Sequence, residues 1–249
     1  MYNTLKTIAK KSIPKKLLFK YEYFFRKLFL FKYKGDAYQC NICKTKLKEF
    51  VVLKSKDLLC PACGSRSRTR RLWHILQNDL SLKGNVLDFS PSRILYKKHK
   101  QNKNIVYFAT DFANEFIADY NYDIIAIPHK NNFFDFIICY HILEHIEEDH
   151  KAMSELFRVL KPGGICLIQT PFKDGKIYED PKITTPEGRL KAFGQDDHVR
   201  IYSRKGLKMR LENKGFQVNL KKYKEADTMY NGFQDETVLF ARKQQIIIP

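Results

Sequence analysis

Short apolar runs and helical stretches take turns from Val86 to Gln169, and this alternation narrows the fold more than any other feature. Strand candidates fall at 86–89, 105–109, 122–127, 134–140 and 164–169, each rich in β-branched or aromatic residues. Helical stretches lie between them, clearest at Asp149–Leu160, which ends against "KPGG" (Lys161 to Gly164), a helix stop. A chain of this kind predicts a parallel sheet covered by helices on both faces. A helix over 203–214 follows, then "GFQVNLKKY" and "ETVLFARK", two strands expected to close the sheet as an antiparallel hairpin. At 249 residues the chain has room for this core and one small accessory module.

That module is marked by cysteine. Four of the six cysteines form two pairs, "CNIC" (Cys40, Cys43) and "CPAC" (Cys60, Cys63), sixteen residues apart. Two thiolates two residues apart converge on one ion from a tight turn, and two such turns complete a tetrahedron. A structural zinc ion is therefore expected, since four thiolates leave no open coordination position. Two disulfides or four separate thiols are the alternatives, and a cytosolic setting disfavours the first. "LKEFVVLKSKDLL" between the pairs reads as a short hairpin, so the module resembles a zinc ribbon. Cys139 and Cys166 sit in apolar runs and read as small core residues.

The formal charge of +18 is uneven: residues 1–34 hold ten Lys or Arg against Glu22 alone. Such a segment suits an acidic partner: RNA, an anionic membrane surface or an acidic protein. "LLFKYEYFFRKLFLF" (Leu17 to Phe31) can line one face of a helix, lying on a membrane interface or packed on its own domain. No apolar run reaches the length of a spanning helix. Lys20, Glu22, Arg26 and Lys27 interrupt any secretory core. A cytoplasmic protein, peripheral to the inner membrane face if the basic helix binds lipid, is expected. The order is a basic segment at 1–35, a cysteine module at 36–66 and an α/β domain at 67–249.

In parallel sheets of this kind ligands bind at the carboxyl ends of the strands. Asp88 ends the first strand, Asp111 follows the second in "VYFATDF", and Asp123 lies in "YDIIAIP". A carboxylate just past the second strand can accept both hydroxyls of a ribose. "DIIAIPHKNNFFDFIICYHILEHIEEDHKAMSELFRVLKPGGICLIQTPF", Asp123 to Phe172, resembles the central half of a class I S-adenosylmethionine-dependent methyltransferase of the broad type 11 kind. The likeness lies in "IP", "NNFFDFI", "HILEHI" and "ELFRVLKPGG", in the family's order and at its intervals, and extends over roughly residues 70–245. "CPACGSRSRTRRL" is also similar to the "CPxCGSxxRxR" junction of methyltransferases that accompany glycan-assembly genes.

The resemblance implies a Rossmann-like, mostly parallel seven-stranded sheet ending in an antiparallel hairpin, with S-adenosyl-L-methionine as cofactor. It implies that Asp88, Phe89, Ser90 and Pro91 wrap the methionine moiety. Asp111, with Phe112 beside it, would hold the ribose hydroxyls; Asp123 and the Ile124 backbone would meet the adenine. Tyr140 and His141 would border the methyl group. The loop departs from the usual D-x-G-x-G-x-G pattern. "DFSPSR" has no glycine to supply a positive φ, and Pro91 gives up a donor, so a variant path for the cofactor is expected.

"HILEH" (His141 to His145) also fits H-x-x-E-H, a zinc-protease motif. That chemistry needs both histidines on one helix face, whereas His141 directly follows an apolar strand. For a hydroxyl or amine acceptor a base near neutrality helps, and His141, His145 and His198 are the candidates. Phe172 to Tyr202 is too long for a plain connection and reads as a substrate loop. The expected activity is methyl transfer to an O or N atom of a small-molecule or saccharide-type (glycan) acceptor. The alternatives are an RNA methyltransferase of the ribosomal type and an adaptor that keeps the fold without the cofactor.

Overall fold

The computed structural model describes residues 30–224 and 230–245, together with Phe24, Arg26 and Lys27. Most of the expected basic helix lies outside the described residues. The chain forms two compact units, one of residues 1–81 with 223–236, the other of 82–222 with 237–249.

In the first unit, β1 (Lys34–Gln39) pairs antiparallel with β2 (Lys46–Leu47), and β3 (Val51–Val52) with β4 (Leu58–Leu59). The two cysteine turns follow β1 and β4 and share one hydrogen-bond pattern. Lys44 N bonds Cys40 O at 2.8 Å and Cys40 N bonds Thr45 O at 3.0 Å; Gly64 N bonds Cys60 O and Cys60 N bonds Ser65 O, both at 2.9 Å. Lys44 adopts φ 60° where the second turn has Gly64 at φ 76°.

Helix α1 (Ser67–Asn78) belongs to this unit. Its Arg70 is fully buried and donates to four carbonyls: Ser65 (2.7 Å), Leu58 (3.1 Å), Asn231 (2.8 Å) and Gly232 (2.6 Å). The guanidinium also lies 4.1 Å over the Phe50 ring. A buried cation is tolerable when its donors are this well spent. Arg70 thus ties α1 to the cysteine turns, and the first compact unit runs on to Ser81, past residue 66.

The second unit carries the sheet. Parallel strands β5 (Gly84–Phe89), β6 (Ile105–Thr110), β7 (Phe134–Tyr140) and β8 (Leu160–Gln169) precede β11 (Phe216–Tyr223) and β12 (Glu236–Lys243), in the order β11-β12-β8-β7-β5-β6. β12 runs antiparallel to β8, with Leu239 opposite Ile168. Helices α2 (Arg93–Lys100), α3 (Asp149–Val159) and α5 (Arg204–Glu212) join these strands. Leu87, Ile137, Cys139, Met153, Leu156, Cys166 and Ile168 share one core. The expected substrate loop contains two short strands, β9 (Tyr178–Glu179) and β10 (Arg200–Ile201), and helix α4 (Pro186–Phe193).

Six strands, rather than the expected seven, form the sheet among the described residues. Residues 122–127 are irregular, and the chain touches the end of β6 through a single bridge, Thr110 to Tyr120. Ile124 and Ile127 are buried as a strand would require, but other partners satisfy the backbone. Asp123 Oδ1 accepts from Ile125 N at 3.0 Å, Glu155 Oε2 accepts from Ile127 N at 2.8 Å, and Arg158 donates to Ile127 O at 2.8 Å. With those bonds made by Asp123 and by Glu155 and Arg158 of α3, no ladder is needed to bury the segment.

Candidate functional site

At the carboxyl end of β5 the chain turns at Ser90, which adopts φ 49°. This is the conformation glycine usually supplies. The turn is fixed twice: Ser90 N donates to Thr110 O at 2.7 Å, and Ser90 Oγ donates to Asp111 Oδ1 at 2.6 Å. Pro91 is buried, and Ser92 precedes the first turn of α2 with its Oγ buried and without a hydrogen-bond partner.

Asp111 is buried, and its second oxygen, Oδ2, accepts from Glu115 N (2.5 Å) and Phe116 N (3.0 Å). Oδ1 accepts from Ser90 and keeps a further lone pair. Beside it Phe112 and Phe116 are 64% and 51% exposed, an unusual display of apolar rings. Asp88 faces inward, accepts from Tyr107 Oη at 2.8 Å, and is pushed up to about 7 by burial. Phe89 is core and Asp123 is held in its own turn.

The next strand end is also strained. His141, directly after β7, adopts φ 56°, and its amide bonds Gln169 O at the end of β8 (2.8 Å). Strained non-glycine residues gather at functional sites. His141 Nδ1 lies 3.1 Å from Glu144 Oε1, and His145 Nδ1 lies 3.1 Å from Asp197 Oδ2. The His145 and His198 rings meet edge-on at 4.6 Å between centroids. Burial, then the His145 charge, lowers the pKa of His198, so its ring favours the neutral form. The three candidate histidines therefore form one cluster around Glu144. Tyr140 ends β7 just before it.

The spacing of residues did not point to Ser92, Gln169 or Thr170, and it pointed to Glu144 only through the protease-like "HILEH". Each carries a buried oxygen without a hydrogen-bond partner, at Glu144 Oε2, Ser92 Oγ, Gln169 Oε1 and Thr170 Oγ1. All four lie at or just past the ends of β5, β7 and β8. A positional signal was present, since "QT" ends the fifth apolar run as "DF" ends the first.

In the first unit the four thiols converge. Cys40 Sγ and Cys63 Sγ are 3.7 Å apart, Cys43 Sγ and Cys60 Sγ 3.8 Å, and all four lie within 4.8 Å of one another. All four are free cysteines. Hydrogen bonds from Cys43, Cys60 and Cys63 hold Cys40 far below the usual thiol range. No helix among the described residues is long and apolar enough to cross a membrane.

Residues 64–221 match the family described as "Methyltransferase domain". The chain belongs to that family. The match begins at the residue after the fourth clustered cysteine. This methyltransferase-domain chain is 31% identical over 96 residues to a protein of Mycolicibacterium smegmatis named a probable S-adenosylmethionine-dependent methyltransferase, covering 39% of this chain and 34% of that one. It is 33% identical over 85 residues to an uncharacterised protein of Methanocaldococcus jannaschii, covering 32% of this chain and 37% of that one. The alignment thus spans about a third of either relative. Among solved structures the [4+2]-cyclase SpnF resembles it with a TM-score of 0.50, at 18% identity, over 70% of this chain and 81% of that one. That likeness concerns the fold alone; a cyclase on this fold shows that architecture does not fix the reaction.

Proposed function

We propose that this chain is an S-adenosylmethionine-dependent methyltransferase acting on an O or N atom of a small-molecule or saccharide-type acceptor. The observation that carries the reading is the Ser90 turn. A serine held at φ 49° and bonded to Asp111 does the work that glycine does elsewhere, so the glycine-free loop is built rather than decayed.

The strand ends fit the cofactor. The first turn of α2, with Ser92 Oγ, suits the methionine carboxylate. Asp88, Phe89 and Pro91, which flank Ser90, would border the methionine moiety. Asp111 would take a ribose hydroxyl on the spare lone pair of Oδ1, and the exposed faces of Phe112 and Phe116 suit the adenine. Asp123 and the Ile124 backbone border the same side. Bound there, S-adenosylmethionine would supply an electrophilic methyl group. Tyr140 and His141 would align the acceptor, and one of His141, His145 and His198 would receive its proton.

Cys40, Cys43, Cys60 and Cys63 would hold one structural zinc ion. Thiolates at zinc–sulfur bonds of about 2.3 Å sit about 3.8 Å apart in a tetrahedron, close to the spacing of the two pairs. Residues 1–34 would contact an anionic membrane surface or RNA.

A second reading, a fold that no longer binds cofactor, draws on the three donors already spent on Asp111. Calorimetric titration of the zinc-loaded protein with S-adenosylmethionine and S-adenosylhomocysteine decides between them. Micromolar binding supports the enzyme. No binding at millimolar cofactor, in folded protein, supports the second reading.

A further inference from the structure

We propose that Glu144, His145 and His198 form a second metal site, which binds one divalent cation of the manganese, iron or zinc type. One donor atom from each residue lies within 4.8 Å of the others. Donors on a common ion, at bonds of about 2.1 Å, sit about 3 to 4 Å apart, so modest side-chain rotation closes the set.

The independent observation is what burial leaves unsatisfied. Glu144 and His198 are 1% and 3% exposed, yet Glu144 Oε2 and His198 Nε2 have no hydrogen-bond partner. A buried carboxylate oxygen and a buried imidazole nitrogen, both bare, are costly unless something cationic completes them. Among the described residues Glu144 is paired with His141 and with no lysine or arginine.

Each donor is also steadied from behind, as metal ligands are. The other Glu144 oxygen faces His141 Nδ1 at 3.1 Å, His145 Nδ1 faces Asp197 at 3.1 Å, and the His198 ring bonds the Phe193 backbone. The loop that brings in His198 is pinned to Glu144 by Val199 N donating to Glu144 O at 2.9 Å. The site is therefore assembled across more than fifty residues of sequence by a backbone bond. It also differs from the protease motif "HILEH": Glu144 is a ligand rather than a base, and His141 orients it.

Two imidazoles and one carboxylate select borderline ions. Three protein donors leave positions open, unlike the closed set of four thiolates. Resting on the methyltransferase reading, an open position would take an acceptor hydroxyl and make its oxygen a better nucleophile. The acceptor is then an oxygen compound: an oxygen lone pair forms the new O–CH3 bond, the carbon–sulfur pair returns to sulfur, and the hydroxyl proton passes to His141.

The test uses full-length protein with zinc in the cysteine cluster, titrated with Mn2+ and followed by the resonance signal of the free ion. The expected result is about one Mn2+ per chain, bound at least tenfold more weakly by Glu144→Gln and His198→Ala. S-adenosylhomocysteine affinity unchanged in those variants shows that the fold survives. If either loses it, the part-exposed His145→Ala takes its place. Wild type that ignores millimolar Mn2+, or variants that bind it equally well, overturn the site. Enhanced water proton relaxation by bound Mn2+ supports open positions; its absence overturns the acceptor role. Failure of wild type to bind S-adenosylhomocysteine defeats the cofactor reading alone; the Mn2+ titration, with urea unfolding of the variants as the fold control, still decides the cation site.

Discussion

Ser90 donates its hydroxyl to Asp111 Oδ1 across 2.6 Å while its amide bonds the Thr110 carbonyl at 2.7 Å. One residue thus joins the ends of β5 and β6 with a side-chain and a main-chain bond. The turn is held by contacts to the neighbouring strand rather than by glycine's freedom, and its variants should show both the strain and the bonds.

Serine at positive φ carries a backbone cost of about 1–2 kcal/mol that glycine escapes, offset here by a hydrogen bond to a charged group. Ser90→Ala keeps the strain and loses the bond, whereas Ser90→Gly loses both. Ser90→Gly is expected to be more stable than Ser90→Ala by about 1 kcal/mol in urea unfolding. Equal stabilities would show that the turn is unstrained.

Asp111→Ala is expected to weaken S-adenosylhomocysteine binding about tenfold or more. A single charged hydrogen bond of about 1.5 kcal/mol already corresponds to that factor. Calorimetry with an unchanged dissociation constant would remove the ribose assignment.

Burial pushes Asp88 up to about 7 in the fold, against about 3.9 for a free aspartate. The folded state therefore holds a proton that the unfolded chain releases between those values. The stability this contributes is complete below about pH 4 and is lost as pH rises through about 7, up to about 4 kcal/mol. Asp88→Asn should flatten that part of the stability–pH curve. Unfolding of both proteins at pH 5 and pH 8 reads the difference, and parallel curves would refute it.

Metal analysis of purified protein is expected to find one tightly held zinc in the cysteine cluster. Cys60→Ser should lose it and unfold more easily, since a tetrahedral site cannot close on three thiolates. Undiminished zinc in Cys60→Ser would mean that the thiols do not share an ion.

Much of this was legible because the physics was local. Cysteine spacing, the apolar runs of β5 to β8 and the stop after α3 each depend on neighbours within a few residues. The segment 122–127 was not, because its alternation matches that of a strand. Glu155 and Arg158, some thirty residues on, satisfy its backbone, and no pattern within the segment reports them. The three histidines were visible as single residues, but their convergence on Glu144 depends on the Val199 amide. Ser90 read as an anomaly because composition records a missing glycine, whereas the hydroxyl that replaces its function acts through Asp111.

Arg70 has a consequence for how the chain is made. Two of its four carbonyl acceptors, Asn231 and Gly232, emerge from the ribosome some 160 residues after the guanidinium itself. Until then a nascent chain must keep that cation hydrated, which holds the first unit open at the side it later seals. A protein truncated before residue 223 would keep all four cysteines yet lack this closure. A segment made some 160 residues later thus licenses the first unit to finish folding.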